Sequence, residues 1–69
     1  MSYLATLEAR VAELEAQRDY HKRQRAAWKN TPERYADHDR AVRAREEDLV
    51  AARRELAAER DAPFVAVAR

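Results

Sequence analysis

The sequence contains no cysteine and no glycine, and it has only two prolines. Without cysteine, neither a disulfide nor a thiolate metal site can hold the chain together. Without glycine, tight β-hairpin turns and phosphate-binding loops are disfavoured. No apolar run approaches the roughly 18 residues that a membrane-spanning helix needs, and no signal-peptide pattern opens the sequence. We therefore expect a protein of the cytoplasm or of an assembled particle, with no membrane partner.

The composition favours helices. Charged residues make up 39% of the 69 residues and hydrophobic residues 46%, many of them alanine. This mixture is typical of a long or coiled helix rather than of a disordered chain. A chain of this length forms one small domain that buries a modest share of its surface. The net charge of +1 provides no global attraction to nucleic acid or to a membrane.

A break in the helical pattern lies near the middle of the chain. Pro32 has no backbone N–H and disfavours the helical conformation at Thr31. Thr31 suits the N-cap of a new helix, with Pro32 in its first position and the acidic Glu33 in its first turn. Asn30 can adopt the left-handed conformation that often ends a helix. We therefore predict a turn at residues 30–32 and not a kinked continuous helix.

The first predicted helix covers residues 2–30. Ser2 can cap it, and apolar side chains then recur at coiled-coil spacing. The row turns polar in the middle of the helix and ends on an aromatic residue. The predicted interface residues of this helix are Leu4, Leu7, Val11, Leu14 and Trp28.

The second predicted helix covers residues 32–61, with an apolar residue at every seventh position: Tyr35, Val42, Leu49 and Leu56. Two such helices pair about a midpoint between residues 31 and 32, where the turn is predicted. The expected layers are Leu7 with Leu56, Leu14 with Leu49, His21 with Val42, and Trp28 with Tyr35. We therefore predict an all-α fold, a two-helix antiparallel coiled-coil hairpin over residues 1–61.

This pairing buries little apolar surface. The neighbouring row places Arg18 opposite Arg45 and Arg25 opposite His38, and like charges in these places are unfavourable. Four layers with a polar one among them make a small core. We therefore expect a lone hairpin to be marginal and to be completed by self-association or by a protein partner.

The C-terminal residues form a separate predicted segment. Pro63 is expected to end the second helix and to leave residues 62–69 as an extended apolar tail. Such a segment can dock on a sheet edge or in a groove of a partner through Phe64, Val65 and Val67. A frayed end and a tail that folds back on the hairpin are the alternatives.

A basic stripe lies in the second half of the first helix. Arg18, Lys22, Arg25 and Lys29 share one helical face, and Trp28 lies beside them. Such an array can bind phosphates while the aromatic ring stacks on a base. The alternative is a solvated or partner-facing charged surface. Binding of nucleic acid is therefore a second functional hypothesis.

Catalysis and metal binding find little support in the sequence. The only histidines, His21 and His38, fall on facing helices about a turn apart, without the usual spacing of metal ligands. No pair of nucleophile and base is evident among the hydroxyl residues. We predict no enzyme activity, no cofactor and no metal.

Two short stretches resemble known families. Trp28-Lys29-Asn30, at the junction of the helices, resembles the Trp-x-Gly turn of the secreted WXG-type helical hairpins, with asparagine in place of glycine. Residues 7–15 are similar to the start of the SlyX-like short coiled coils. The first resemblance implies a secreted hairpin partner as a further alternative. Our main hypothesis is a structural or assembly subunit, as in a phage particle or a secretion assembly.

Overall fold

The chain forms two long helices that fold back on each other. The computed structural model describes residues 2–67, and it describes side-chain surroundings for residues 2–61. Helix α1 spans Tyr3–Ala27 and helix α2 spans Pro32–Val67. Arg25 pairs with Asp39 beside the turn, whereas Glu8 pairs with Arg60 far from it. The helices are therefore antiparallel, and the predicted all-α hairpin is confirmed.

A hydrogen-bonded turn reverses the chain. The N–H of Trp28 donates to the carbonyl of Gln24 at 3.0 Å, and the N–H of Thr31 donates to the carbonyl of Trp28 at 2.9 Å. The carbonyl of Thr31 then accepts from the N–H of Tyr35 at 2.9 Å. Thr31 thus occupies the N-cap position of α2, as predicted.

Asn30 does not end α1 in the predicted way. No residue of the described range 2–67 has a positive φ, so Asn30 does not adopt the left-handed conformation. The carbonyl of Trp28 accepts a hydrogen bond from the N–H of Thr31 instead. Because this carbonyl already has a partner, a left-handed cap is not needed. Proline follows at the start of α2, where its missing N–H costs nothing.

Ser2 caps the start of α1. Its backbone is extended, with φ of −77° and ψ of 156°, and its hydroxyl oxygen accepts from the N–H of Ala5 at 3.1 Å. This bond satisfies one of the free donors in the first helical turn. The predicted cap is therefore confirmed.

The core is one line of apolar side chains between the helices. Leu14, Leu49 and Ala52 form its central cluster, and the half-buried Val11 packs against them. Ala52 belongs to a row of α2 in which the sequence showed little apolar character, yet its small side chain fits between the helices. The buried apolar residues are Leu7, Leu14, Val42, Leu49, Ala52 and Leu56.

The layer predicted beside the turn, Trp28 with Tyr35, leaves Tyr35 exposed to solvent. Tyr35 is 41% exposed and does not form the closed end of the core that pairing with Trp28 implied. Trp28 is half-buried, and the guanidinium of Arg34 lies 4.4 Å from the centre of its ring. A cation over an indole face is favourable, so Arg34 covers the ring that Tyr35 was expected to cover.

The predicted end of α2 is wrong. The backbone stays helical through Pro63 to Val67, so residues 62–67 are not an extended tail. Proline removes one helical hydrogen bond, but its fixed φ is compatible with a helix, so the preceding turns can continue through it. The side chains of Phe64, Val65 and Val67 lie outside the described surroundings, as do residues 68 and 69 entirely.

Neither helix could serve as a membrane span. Within the described residues, no helix has a sufficiently long apolar stretch.

Candidate functional site

Complementary charges line one side of the helix pair, which we call the charged flank. We call the end of the hairpin away from the turn the open end. Near it, Nη2 of Arg60 lies 3.4 Å from Oε2 of Glu8, and Nη2 of Arg53 lies 3.0 Å from Oε2 of Glu15. One heptad further towards the turn, the same register brings Lys22 opposite Glu46. The signs of the charges reverse along each helix, acidic then basic on α1. A shift of register by one heptad would keep one complementary pair but bring one pair of like charges together, Glu15 with Glu46 or Lys22 with Arg53, so the flank favours the observed pairing.

The basic stripe predicted for nucleic acid is divided by the fold. Lys22 and Lys29 are exposed, whereas Arg18 and Arg25 are half-buried at the seam between the helices. The Nε atom of Arg18 lies 3.1 Å from a carboxylate oxygen of the neighbouring Asp19. Two of the four predicted phosphate contacts are therefore turned inward.

Arg25 binds Asp39 and is not opposed to His38 as the sequence register suggested. Its Nη1 atom lies 2.7 Å from Oδ1 of Asp39, and both side chains are about three-quarters buried, with exposures of 27% and 23%. The other oxygen of Asp39 accepts from Arg43 at 3.1 Å, a helical pair of opposite charges four residues apart. A long arginine side chain can reach past the opposing layer, which is why the expected clash is avoided.

The two histidines meet directly. Their Nδ1 atoms are 3.0 Å apart and their ring centres 5.3 Å apart, with the ring planes tilted by 39°. Tyr20 presents its ring edge-on to His21 at 5.1 Å. The sequence predicted facing helices but a separation of about a turn, and it paired His21 with Val42. The two side chains are long enough to bridge this separation along the helix axis, so their rings meet.

Arg45, on α2 near the two histidines, has a side chain whose hydrogen-bond donors are only partly satisfied. Its Nη1 atom binds Asp48 at 3.2 Å, but its Nε atom is buried without a hydrogen-bond partner among the described residues. A buried donor without a partner destabilises the fold. The middle of the seam is therefore polar, cationic and less stable than the leucine layers. We call this region the polar centre; it comprises Arg18, His21, Arg25, His38, Asp39 and Arg45.

Tyr3 connects the two helices at the open end of the hairpin. Its hydroxyl donates to the carboxylate of Glu55 on the opposite helix. This hydrogen bond, together with the nearby negative charges of Glu55 and Glu59, raises the pKa of Tyr3 above its usual value of 10.0. The contact ties the first turn of α1 to α2 on the side away from the charged flank.

Several larger apolar side chains remain on the surface. Val50 is 50% exposed on α2, and Tyr20 is 45% exposed on α1. By heptad spacing, Val50 lies beside the charged flank and Tyr20 on the side of Tyr3, so the two mark opposite broad faces of the hairpin. Of the predicted interface residues, Leu4 and Val11 are only half-buried by the other helix.

The described side chains that could bind a metal ion do not cluster into a metal centre. Among the residues that the structure describes, no group of three or more histidine, cysteine, aspartate or glutamate side chains could hold an ion. Asp39 is already engaged by two arginines.

Comparisons with known proteins do not assign a family. No protein-family model matches the chain, and no curated protein or solved structure matches it significantly. Function must therefore be argued from the hairpin itself.

Proposed function

We propose that this chain is a non-enzymatic structural or assembly subunit. Its hairpin packs, through a broad face, against a second copy of itself or against a larger protein complex in the cytoplasm or in an assembled particle. A phage particle and a secretion assembly are examples of such complexes.

The main support for this proposal is that the molecule is only one helix thick. The backbone measures 58 × 19 × 11 Å, so its smallest dimension is that of one helix. The pair buries one line of side chains, and within residues 2–61 no further layer covers either broad face. Helical domains ordinarily bury their apolar stripes against at least one more element.

Two further observations support a protein partner. The half-buried Leu4 and Val11 at the edge of the seam leave apolar surface that a third helix would cover. The polar centre interrupts the apolar line of the seam, and the Nε atom of Arg45 is buried there without a hydrogen-bond partner among the described residues. Packing by another chain would supply the free energy that the seam lacks.

Light scattering and thermal melting over a range of protein concentrations test the proposal. We expect a mass of at least two chains and a melting temperature that rises with concentration. At native expression levels, co-purification should recover a larger protein assembly if the partner is a different chain. A concentration-independent monomer that melts cooperatively and recovers no protein would contradict the proposal. Recovery of nucleic acid alone would favour the alternative of a nucleic-acid-binding regulator.

Two surface variants identify the face that is used. Val50→Glu and Tyr20→Glu each place a charge on one broad face, so one of them should dissociate the complex while preserving helicity. Arg54→Gln, an exposed position on the outer side of α2, is the matched control and should change nothing. Complexes that withstand both glutamate variants would exclude both broad faces as the interface.

A further inference from the structure

We propose that the contact between His21 and His38 is a proton-sensitive latch. It holds the two helices together while at least one imidazole is neutral, and it opens when both are protonated. The proposal does not depend on the partner of the hairpin, since both residues belong to one chain.

The chemistry of the contact requires an unequal pair. The 3.0 Å separation of the two Nδ1 atoms is that of a hydrogen bond. One ring must therefore carry a proton on Nδ1, while the other presents a lone pair there. A singly protonated pair can still form this bond. In the doubly protonated pair both Nδ1 atoms are donors, so the bond is replaced by repulsion between two positive charges.

The surroundings do not compensate a second positive charge. Asp39 follows His38 directly in the chain and is largely buried, and Arg25 and Arg43 already bind it. Asp19 is bound by Arg18, and Asp37 is bound by Arg40 on the surface. The titratable and charged groups of α1 within about a turn of His21 are Arg18, Asp19, Tyr20, Lys22, Arg23 and Arg25. The groups of α2 around His38 are Arg34, Tyr35, Asp37, Asp39, Arg40 and, one further turn along, Arg45.

The sign of the pH dependence follows from proton binding. The unfolded chain can bind two protons on these imidazoles, whereas the closed latch accommodates one. Once one proton is bound, the unfolded chain takes up the second proton more readily than the closed latch does, so stability falls as the pH is lowered further. Opening should be confined to the half of the hairpin near the turn, since Leu7, Leu14, Leu49 and Leu56 hold the other half by apolar contacts.

Thermal melts at pH 7.5 and pH 5.0 test the latch, because the sequence contains no other histidine. We expect the melting temperature to be lower by about 5 °C or more at pH 5.0. The double variant His21→Leu, His38→Leu should lose this difference. Asp39→Asn should retain it, which separates the latch from protonation of the carboxylate. An equal melting temperature at both pH values would overturn the proposal, as would an undiminished difference in the double variant.

Nuclear magnetic resonance supplies a second measurement that needs no variant. The contact between the two rings should be present at pH 7.5 and absent at pH 5.0, while the contact of Leu14 with Leu49 persists at both pH values. Rings that are still in contact at pH 5.0 would refute the latch.

Discussion

Leu14 on α1 and Leu49 on α2 pack against each other across the seam, with Ala52 beside them. Leu49 is almost completely buried, while its neighbour Val50 is half exposed. The two adjacent positions thus separate the inner and outer surfaces of α2. They also provide a matched pair of variants.

Replacing Leu49 by alanine should lower the free energy of unfolding by about 2–5 kcal/mol, because the variant leaves a cavity in the central cluster. For a hairpin with so small a core, this loss is a large fraction of the total stability. Circular dichroism during urea unfolding measures the effect. Val50→Ala is the control, with an expected change within about 0.5 kcal/mol in the isolated hairpin. Equal losses in the two variants would show that the core is not where the structure has it.

Replacing Asp39 by asparagine should destabilise the hairpin by about 1–3 kcal/mol, since Arg25 then keeps a half-buried charge without its partner. Asp37→Asn breaks the pair with Arg40, in which both side chains are mostly exposed, and should cost well under 1 kcal/mol. Urea unfolding at neutral pH compares the two variants. A larger loss in Asp37→Asn would contradict the inward position of Asp39.

Reversing the charge of Glu15 should weaken the hairpin slightly, because the variant Glu15→Arg then faces Arg53. The second reversal, Arg53→Glu, should restore the stability in the double variant. A double-mutant cycle should give a coupling free energy of about 0.2–1 kcal/mol, in the range of exposed pairs, and the coupling should shrink in high salt. Additive effects of the two substitutions would mean that the two side chains do not interact in solution.

Removing the charge of Glu55 should lower the pKa of Tyr3. In the native chain, deprotonation of Tyr3 removes the donor and places a second negative charge beside the carboxylate, which is why the pKa is raised. Glu55→Gln should therefore bring the titration of the Tyr3 ring to lower pH, followed by nuclear magnetic resonance. Glu59→Gln, which removes a weaker influence, should have a smaller effect. No change in Glu55→Gln would mean that the hydrogen bond does not form in solution.

The hairpin and its apolar pairing could be predicted from the sequence because both depend on local rules. Pro32, with Thr31 before it as a cap and Glu33 after it in the first turn, favours the end of one helix and the start of another, and a leucine at every seventh position lies on one face of any helix. Together they predicted the turn and the pairing of Leu14 with Leu49 without knowledge of any contact. The end of α2 was predicted wrongly by the same kind of rule, because a proline near the end of a helix disfavours its continuation without preventing it.

The amino-acid sequence by itself determined that two helices would form, where they would be joined, and that Leu7, Leu14, Leu49 and Leu56 would lie between them. Only the tertiary structure decided the partners of the polar groups between them: His21 with His38, Arg25 with Asp39, and Arg34 over Trp28. Periodicity specifies the face of a helix on which a residue lies. It does not specify how far a long side chain reaches along the neighbouring helix, and charges and hydrogen bonds choose among the partners within that reach.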